Sequence, residues 1–315
     1  MAAPDWHNHA QEARTAGALS PRRLVAVVGL TAGYMVVEAL GGWLTGSLAL
    51  LSDAGHMLAD VAALSLALLA HRFARRPAGP RNTYGFYRAE ILAAFLNGVT
   101  LVAVAAWILV EAYERLQQPA PVAGGPMLVV AAGGLAVNLG AAAILARGRA
   151  NLNVRGAFLH VVADAFGSIS ALAAGVVILL SGRTEADVIA SALIACLILA
   201  AALGLVRAST HILLEGTPPH VDTELVAREL LAHPGVRAVH DLHIWTLTSG
   251  FDALSGHLVV DPQLFGNQQM LLPAIERRLR ERFGIEHTTL QVEQAGAGDG
   301  EPVTPWPPLR ERRGS

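Results

Sequence analysis

Lysine is absent from this 315-residue chain, so all 23 basic residues are Arg. Cysteine is nearly absent as well. Cys196 stands alone, which excludes an intramolecular disulfide framework and any multi-cysteine metal cluster. Charged residues make up only 15% of the chain, against about 25% in ordinary soluble domains. The formal net charge of −2 supplies no basic field to recruit nucleic acid. Aromatics are only 5%, so the 53% hydrophobic content is mostly Ala, Leu and Val. Mean hydropathy is +0.45, which excludes a disordered chain. Small apolar residues at this density suit closely packed membrane helices.

Long apolar runs fill the first two-thirds. A bilayer span takes about 20 apolar residues, and six stretches qualify: Leu24–Leu44, Ser47–Ala70, Ala89–Tyr113, Pro126–Ala146, Val154–Ser181 and Ala186–Val206. An even number puts both termini on one side. Arg14, Arg22, Arg23, Arg72, Arg75, Arg76, Arg81, Arg88, Arg147, Arg149, Arg155 and Arg207 flank the spans on that side; Arg115 and Arg183 occupy the other. The positive-inside rule therefore predicts cytoplasmic termini. Residues 1–22 form a cytoplasmic N-terminal segment and 23–207 the transmembrane domain.

After about residue 208 the pattern changes. Asp222–Ala232 reads as a helix, Val236–Thr246 and Ala253–Val260 as strands, Asn267–Phe283 as an amphipathic helix and His287–Glu293 as a last strand. The α-β-β-α-β order predicts a small α+β domain of ferredoxin-like type over 208–295. The Gly-, Pro- and Arg-rich tail, 296–315, reads as disordered. From residue 208 onward nine Arg face fourteen Asp and Glu, and seven of the twelve His lie there. An acidic, His-rich domain fits binding of divalent metal.

Two of the apolar spans carry ionisable residues. The second holds Asp53, His56 and Asp60; the fifth holds His160 and Asp164. Such residues are costly in a bilayer and face a bundle interior or a water-filled cavity. In each span His precedes Asp by four positions, which places both on one helix face. At about 1.5 Å per residue both pairs fall near mid-bilayer. Two imidazoles and two carboxylates suit tetrahedral Zn²⁺, and two Asp neutralise the dication. Mg²⁺ and Ca²⁺ prefer all-oxygen shells with more ligands. A pair of His–Asp hydrogen bonds stapling two helices is the bland alternative, but a staple does not need the same motif twice at matching depth. Asp53 lines an outward cavity or caps its helix. Glu38, Asn97 and Asn138 are water-contacting groups or interhelical hydrogen-bonders.

Several stretches together resemble the cation diffusion facilitator family, zinc-transporter type. They are Ser47–Asp60, Tyr84–Glu90, His160–Asp164, His211–Pro218, His240–Trp245 and Thr288–Glu293. The resemblance implies a homodimer in the cell membrane, inner or plasma, that exchanges cytoplasmic divalent metal for protons and is not an enzyme. It implies a transport site of His56, Asp60, His160 and Asp164, with Zn²⁺ carried and a regulatory Zn²⁺ in the cytoplasmic domain. That second site matches His240, His257, His287 and Glu293. Arg88 and Glu215 match a charged pair linking the third span to the cytoplasmic domain. Many relatives have His where Tyr87 stands, others have a loop site where only His71 is offered, and no His-rich loop separates spans four and five. His7 and His9 could deliver metal or join the partner's site.

Metal ligands must be deprotonated, so metal entry releases protons and acid weakens binding. With His titrating near neutrality, proton–metal exchange by alternating access about a midplane site follows. Cd²⁺, Co²⁺ or Fe²⁺ is the competing cargo. An intramembrane metalloenzyme is the competing class, though it would keep a ligand position open and need a nearby base. A channel is disfavoured because conduction needs weak binding.

Overall fold

The computed structural model describes residues 21–74, 79–146, 152–248 and 250–295, with side chains except at 21–28, 60, 63–74, 152–157, 159–160 and 163. The segments 1–20 and 296–315, with His7 and His9, lie outside it, as do the side chains of Asp60, His71 and His160. Six long helices come first: α1 (Pro21–Thr45), α2 (Leu48–Ala74), α3 (Arg88–Gln117), α4 (Gly124–Ala146), α5 (Leu152–Ser181) and α6 (Glu185–Leu213). A smaller domain follows: α7 (Thr223–Leu231), β1 (Val236–Thr248), β2 (Phe251–Val260), α8 (Pro262–Phe265), α9 (Gln268–Phe283) and β3 (His287–Gln294). The α-β-β-α-β order holds, with α8 as an extra turn.

The described residues divide into two compact units: those up to Ala67 with those of Leu96–Val206, and those of Leu68–Phe95 with those from Arg207 onward. Within the first unit, helices α3, α4, α6 and the Asp164–Ser181 part of α5 are long and apolar enough to cross a membrane, and Leu48–Ala59 is a shorter apolar segment. Helices satisfy their own backbone groups, which is why an apolar chain adopts them in lipid. Large apolar side chains face outward, among them Trp43, Leu44, Val129, Leu180 and Ile189. Inside, small residues permit close approach: Ala49, Ala131, Ala171 and Ala174 share one cluster, and Ala59, Ala105 and Ala202 another. Helix α2 contributes to both clusters, so it packs against α4 and α5 on one side and α3 and α6 on the other.

The start of α2 is held by Asp187, which has no exposed surface. Its carboxylate accepts from Ser47 Oγ at 2.6 Å, from Leu48 N at 2.7 Å and from Ala49 N at 3.2 Å. This is an N-cap supplied by another helix, satisfying amides that α2 cannot satisfy itself. Arg115 adds a charge 3.9 Å from the same carboxylate and donates to Gly46 O at 2.5 Å. Gly46 takes φ +73, the left-handed turn that lets α1 reverse into α2.

In the second unit β2 is central, antiparallel to β1 and parallel to β3. Val226 and Leu230 of α7 and Leu271, Ile275 and Leu279 of α9 share a core with Val239, Leu242, Leu254 and Leu258 of the sheet. Gly284 at φ 72 closes α9 in the left-handed conformation that glycine adopts without strain.

Replacing Asp187 by Ala strands the α2 amides and the Ser47 hydroxyl in an apolar setting. The expected loss is about 2–4 kcal/mol. Thermal unfolding of the purified protein in detergent measures it, with Asp187→Asn, which keeps one acceptor oxygen, falling between variant and parent.

Candidate metal centres

Within the helical unit His56 on α2 and Asp164 on α5 meet. His56 Nε2 lies 3.5 Å from Asp164 Oδ1, and the Asp164 side chain is 3% exposed. Asp60 stands one turn beyond His56 on α2, and His160 one turn before Asp164 on α5. The helices are antiparallel, so both second positions are displaced toward the same end of the pair. One imidazole and one carboxylate from two different helices are brought together here.

The second cluster lies on the sheet of the other unit. His240 and His257 are directly opposite in the β1–β2 register, with ring centroids 4.9 Å apart. Glu293 on β3 joins them: its Oε2 lies 3.0 Å from His240 Nε2 and its Oε1 2.7 Å from His257 Nδ1. One ligand atom from each of the three lies within 4.8 Å of the others, close enough for one metal ion. The hydrogen bond to His240, with a second to His257, holds the Glu293 carboxyl below its ordinary range.

A β-bulge shapes this corner. His240 pairs with His257 and His243 with Ser255, so β1 spends one residue more than β2 there. Asp241 takes φ +50. The extra residue lets Val239 and Leu242 both turn inward while His240 and His243 both turn out. Asp241 then sits between imidazoles, 2.9 Å from His243 Nε2 and 3.8 Å from His257 Nε2.

His287 is placed elsewhere. It begins β3 opposite Ala253, whereas His257 lies opposite Gln291. Its ring packs near Tyr84 and Phe251, at centroid distances of 5.7 and 6.2 Å. Arg88 Nη2 and Glu215 Oε1 are 2.8 Å apart and border a cavity of about 530 Å³ lined also by Tyr84, Tyr87, Trp245 and Leu247.

Two family matches cover nearly the whole described chain. The cation efflux transmembrane domain matches residues 24–214, and the cation efflux protein cytoplasmic domain matches 218–295. The chain belongs to the cation diffusion facilitator family. Like the family's other members it is a multi-pass membrane transporter of metal cations, not an enzyme. A relative from Bacillus subtilis (strain 168), named a cadmium, cobalt and zinc/H(+)-K(+) antiporter, is 42% identical over 311 residues, 98% of each chain. The zinc transporter ZitB of Escherichia coli (strain K12) is 44% identical over 275 residues, covering 86% of this chain and 87% of ZitB. A solved structure of the metal-bound C-terminal domain of the CzcD transporter from Cupriavidus metallidurans is 42% identical, covers 23% of this chain and 99% of that one, and has a TM-score of 0.22.

Sequence reasoning about this cation efflux protein missed the Asp187 anchor and the bulge at Asp241. A lone acid at the start of a span gives no hint that it caps a different helix. A bulge has no signal in a strand that otherwise alternates.

The lowered Glu293 carboxyl carries a pH dependence. Its contribution to stability is complete above the unfolded value of about 4.3 and is lost as pH falls through the lower folded value. In chelator-stripped protein the parent should therefore unfold at higher temperature than Glu293→Gln at pH 6, and the gap should narrow progressively as pH falls below about 4.3. Equal unfolding temperatures at pH 6 would contradict the ion-pairing of Glu293.

Proposed function

We propose that the chain exports Zn²⁺ from the cytoplasm in exchange for protons, through a site of His56, Asp60, His160 and Asp164. The observation that carries this is the approach of His56 Nε2 to Asp164 Oδ1, 3.5 Å apart on two helices that each offer a second ligand one turn away. Two nitrogens and two carboxylate oxygens match the tetrahedral preference of zinc and neutralise its charge in an apolar bundle. Zinc displaces protons from the imidazoles on entering, and protons from outside compete it off after the bundle has reoriented. Zinc is the cargo named for ZitB and one of three metals named for the Bacillus subtilis relative. Cadmium and cobalt are therefore the competing cargoes.

The termini are cytoplasmic in the cell membrane, and the protein acts as a homodimer, the latter supported by the match to the dimerising cytoplasmic domain of the family. His240, His257 and Glu293 hold a regulatory metal there; His287 is left out of that set because it starts the opposite end of β3. The Arg88–Glu215 pair ties the start of α3 to the segment that follows α6.

Metal flux into sealed proteoliposomes under an imposed pH gradient tests the proposal. Zinc movement should follow the gradient and fall to the level of protein-free liposomes in Asp164→Ala and Asp60→Ala. Replacing Arg183, on an exposed turn, by Ala should leave flux at the parental level. Flux that survives both Asp substitutions would overturn the site.

A further inference from the structure

Beside the His56–Asp164 pair lies a buried polar cluster drawn from four helices, called the chamber below, and the exchange proposed above gives it no role. Glu38 comes from α1, Asp53 from α2, Asn138 from α4 and Ser168 from α5, with relative exposures of 1, 2, 3 and 1%. Asn138 Nδ2 donates to Ser168 Oγ at 3.2 Å, and Ser168 Oγ donates to Asp53 Oδ2 at 3.4 Å. Glu38 reaches the same place. A Cβ added at Gly134 would collide with Glu38 Oε1 and stand 3.2 Å from Ser168 Oγ. A Cβ at Gly167 would stand 2.7 Å from Asp53 Oδ1. The two glycines thus make room for two carboxylates. Glu38 Oε2 is buried and has no hydrogen-bond partner among the described residues.

Position sets the chamber apart from the metal pair. Asp53 is one turn before His56 on α2, and Ser168 one turn after Asp164 on the antiparallel α5. Both displacements run the same way, about 5–6 Å toward the end where α2 starts and α5 finishes. In the proposed topology that end is the outside.

Chemistry says what the chamber takes. The titratable groups around Glu38 are Tyr34 on its own helix, Asp53 on α2 and Asp164 on α5, while α4 presents the neutral Gly134 and Asn138. None of these is a fixed cation, and among the described residues the nearest group that can take positive charge is His56, which lies against Asp164. Buried carboxylates that crowd one another in an apolar bundle need positive charge nearby. The ion-binding atoms that Glu38, Asp53 and Ser168 supply are all oxygen: two carboxylates and a hydroxyl. Such a set suits a hard cation better than zinc, which favours nitrogen and sulfur.

We propose that this chamber is the counter-ion site of the transporter, binding a monovalent cation, a proton or an alkali ion, through Glu38 and Asp53. The inference rests on the exchange function proposed above. A cation there neutralises two carboxylates one helical turn from the His56–Asp164 pair. It weakens the field that attracts Zn²⁺, and its departure restores that field. Each ion thereby favours release of the other, which is the reciprocity that exchange requires.

The test compares two fluxes of the full chain in proteoliposomes. One is isotopic zinc-for-zinc exchange at equal pH and salt on both sides, which needs only the metal site. The other is net zinc uptake driven by a pH gradient alone, a K⁺ gradient alone or a Na⁺ gradient alone. Glu38→Gln should lower the ratio of driven uptake to exchange by at least about 10-fold, within the usual range of coupling between two sites. Glu38→Asp, which keeps the carboxylate, should recover part of the ratio. The gradient that drives the parent tells a proton from an alkali ion. An unchanged ratio in Glu38→Gln, whether both fluxes fall together or neither falls, would overturn the counter-ion site. Exchange that persists in Asp164→Ala would instead remove the transport site and leave the ratio in Glu38→Gln to speak for the chamber alone.

Discussion

The carboxylate of Asp187 accepts from the Ser47 hydroxyl and from the first two amides of α2, and it does so with no exposure to solvent. A helix that begins inside an apolar bundle must have its first amides satisfied by something other than water. Asp187 belongs to α6, so the cap fixes the height of α2 against a different helix. Height is what matters for the residues further along. Asp53, His56 and Asp60 follow on the same helix at fixed rises, and a shift of α2 by one turn would carry His56 past Asp164. Arg115 offsets part of the Asp187 charge and, by donating to Gly46 O, holds the turn that precedes the cap.

The same constraint accounts for the bundle's use of small residues. Gly134 and Gly167 have no Cβ because carboxylate oxygens occupy that space. Ala49, Ala131, Ala171 and Ala174 bring α2, α4 and α5 close enough for short polar side chains to reach one another. Long cationic side chains are unnecessary inside such a bundle, and the chain keeps its Arg residues mostly near helix ends.

The helices and most of the soluble elements were legible because apolar runs of this length have few other interpretations. The meeting of His56 with Asp164 was foreshadowed by the His-x-x-x-Asp spacing that both spans carry. Geometry between distant segments was not. Nothing in the order of residues shows that Asp187 reaches Ser47, since the contact depends on how α6 packs beside α2. His287 illustrates the opposite error. It looks like a strand-leading ligand next to a matched motif, yet the parallel β2–β3 register puts Gln291, not His287, opposite His257. Register in a parallel pair depends on the crossover through α8 and α9, and that is a property of the packed domain.

The two candidate metal centres differ in how their ligands are held, and the difference suits the roles proposed for them. His240 and His257 face each other across hydrogen-bonded strands, with Glu293 on the next strand of the same sheet. A strand ladder fixes such distances, so the site has little freedom to open without breaking sheet hydrogen bonds. His56 and Asp164 sit on separate helices held together by side-chain contacts, with no backbone ladder between them. Helices packed through Ala and Gly can slide or tilt at modest cost, and a site divided between them gains or loses ligands as they do. A ligand set that must take up an ion on one side and release it on the other is better placed on the movable pair. A set whose geometry is fixed before any ion arrives is better placed on the sheet.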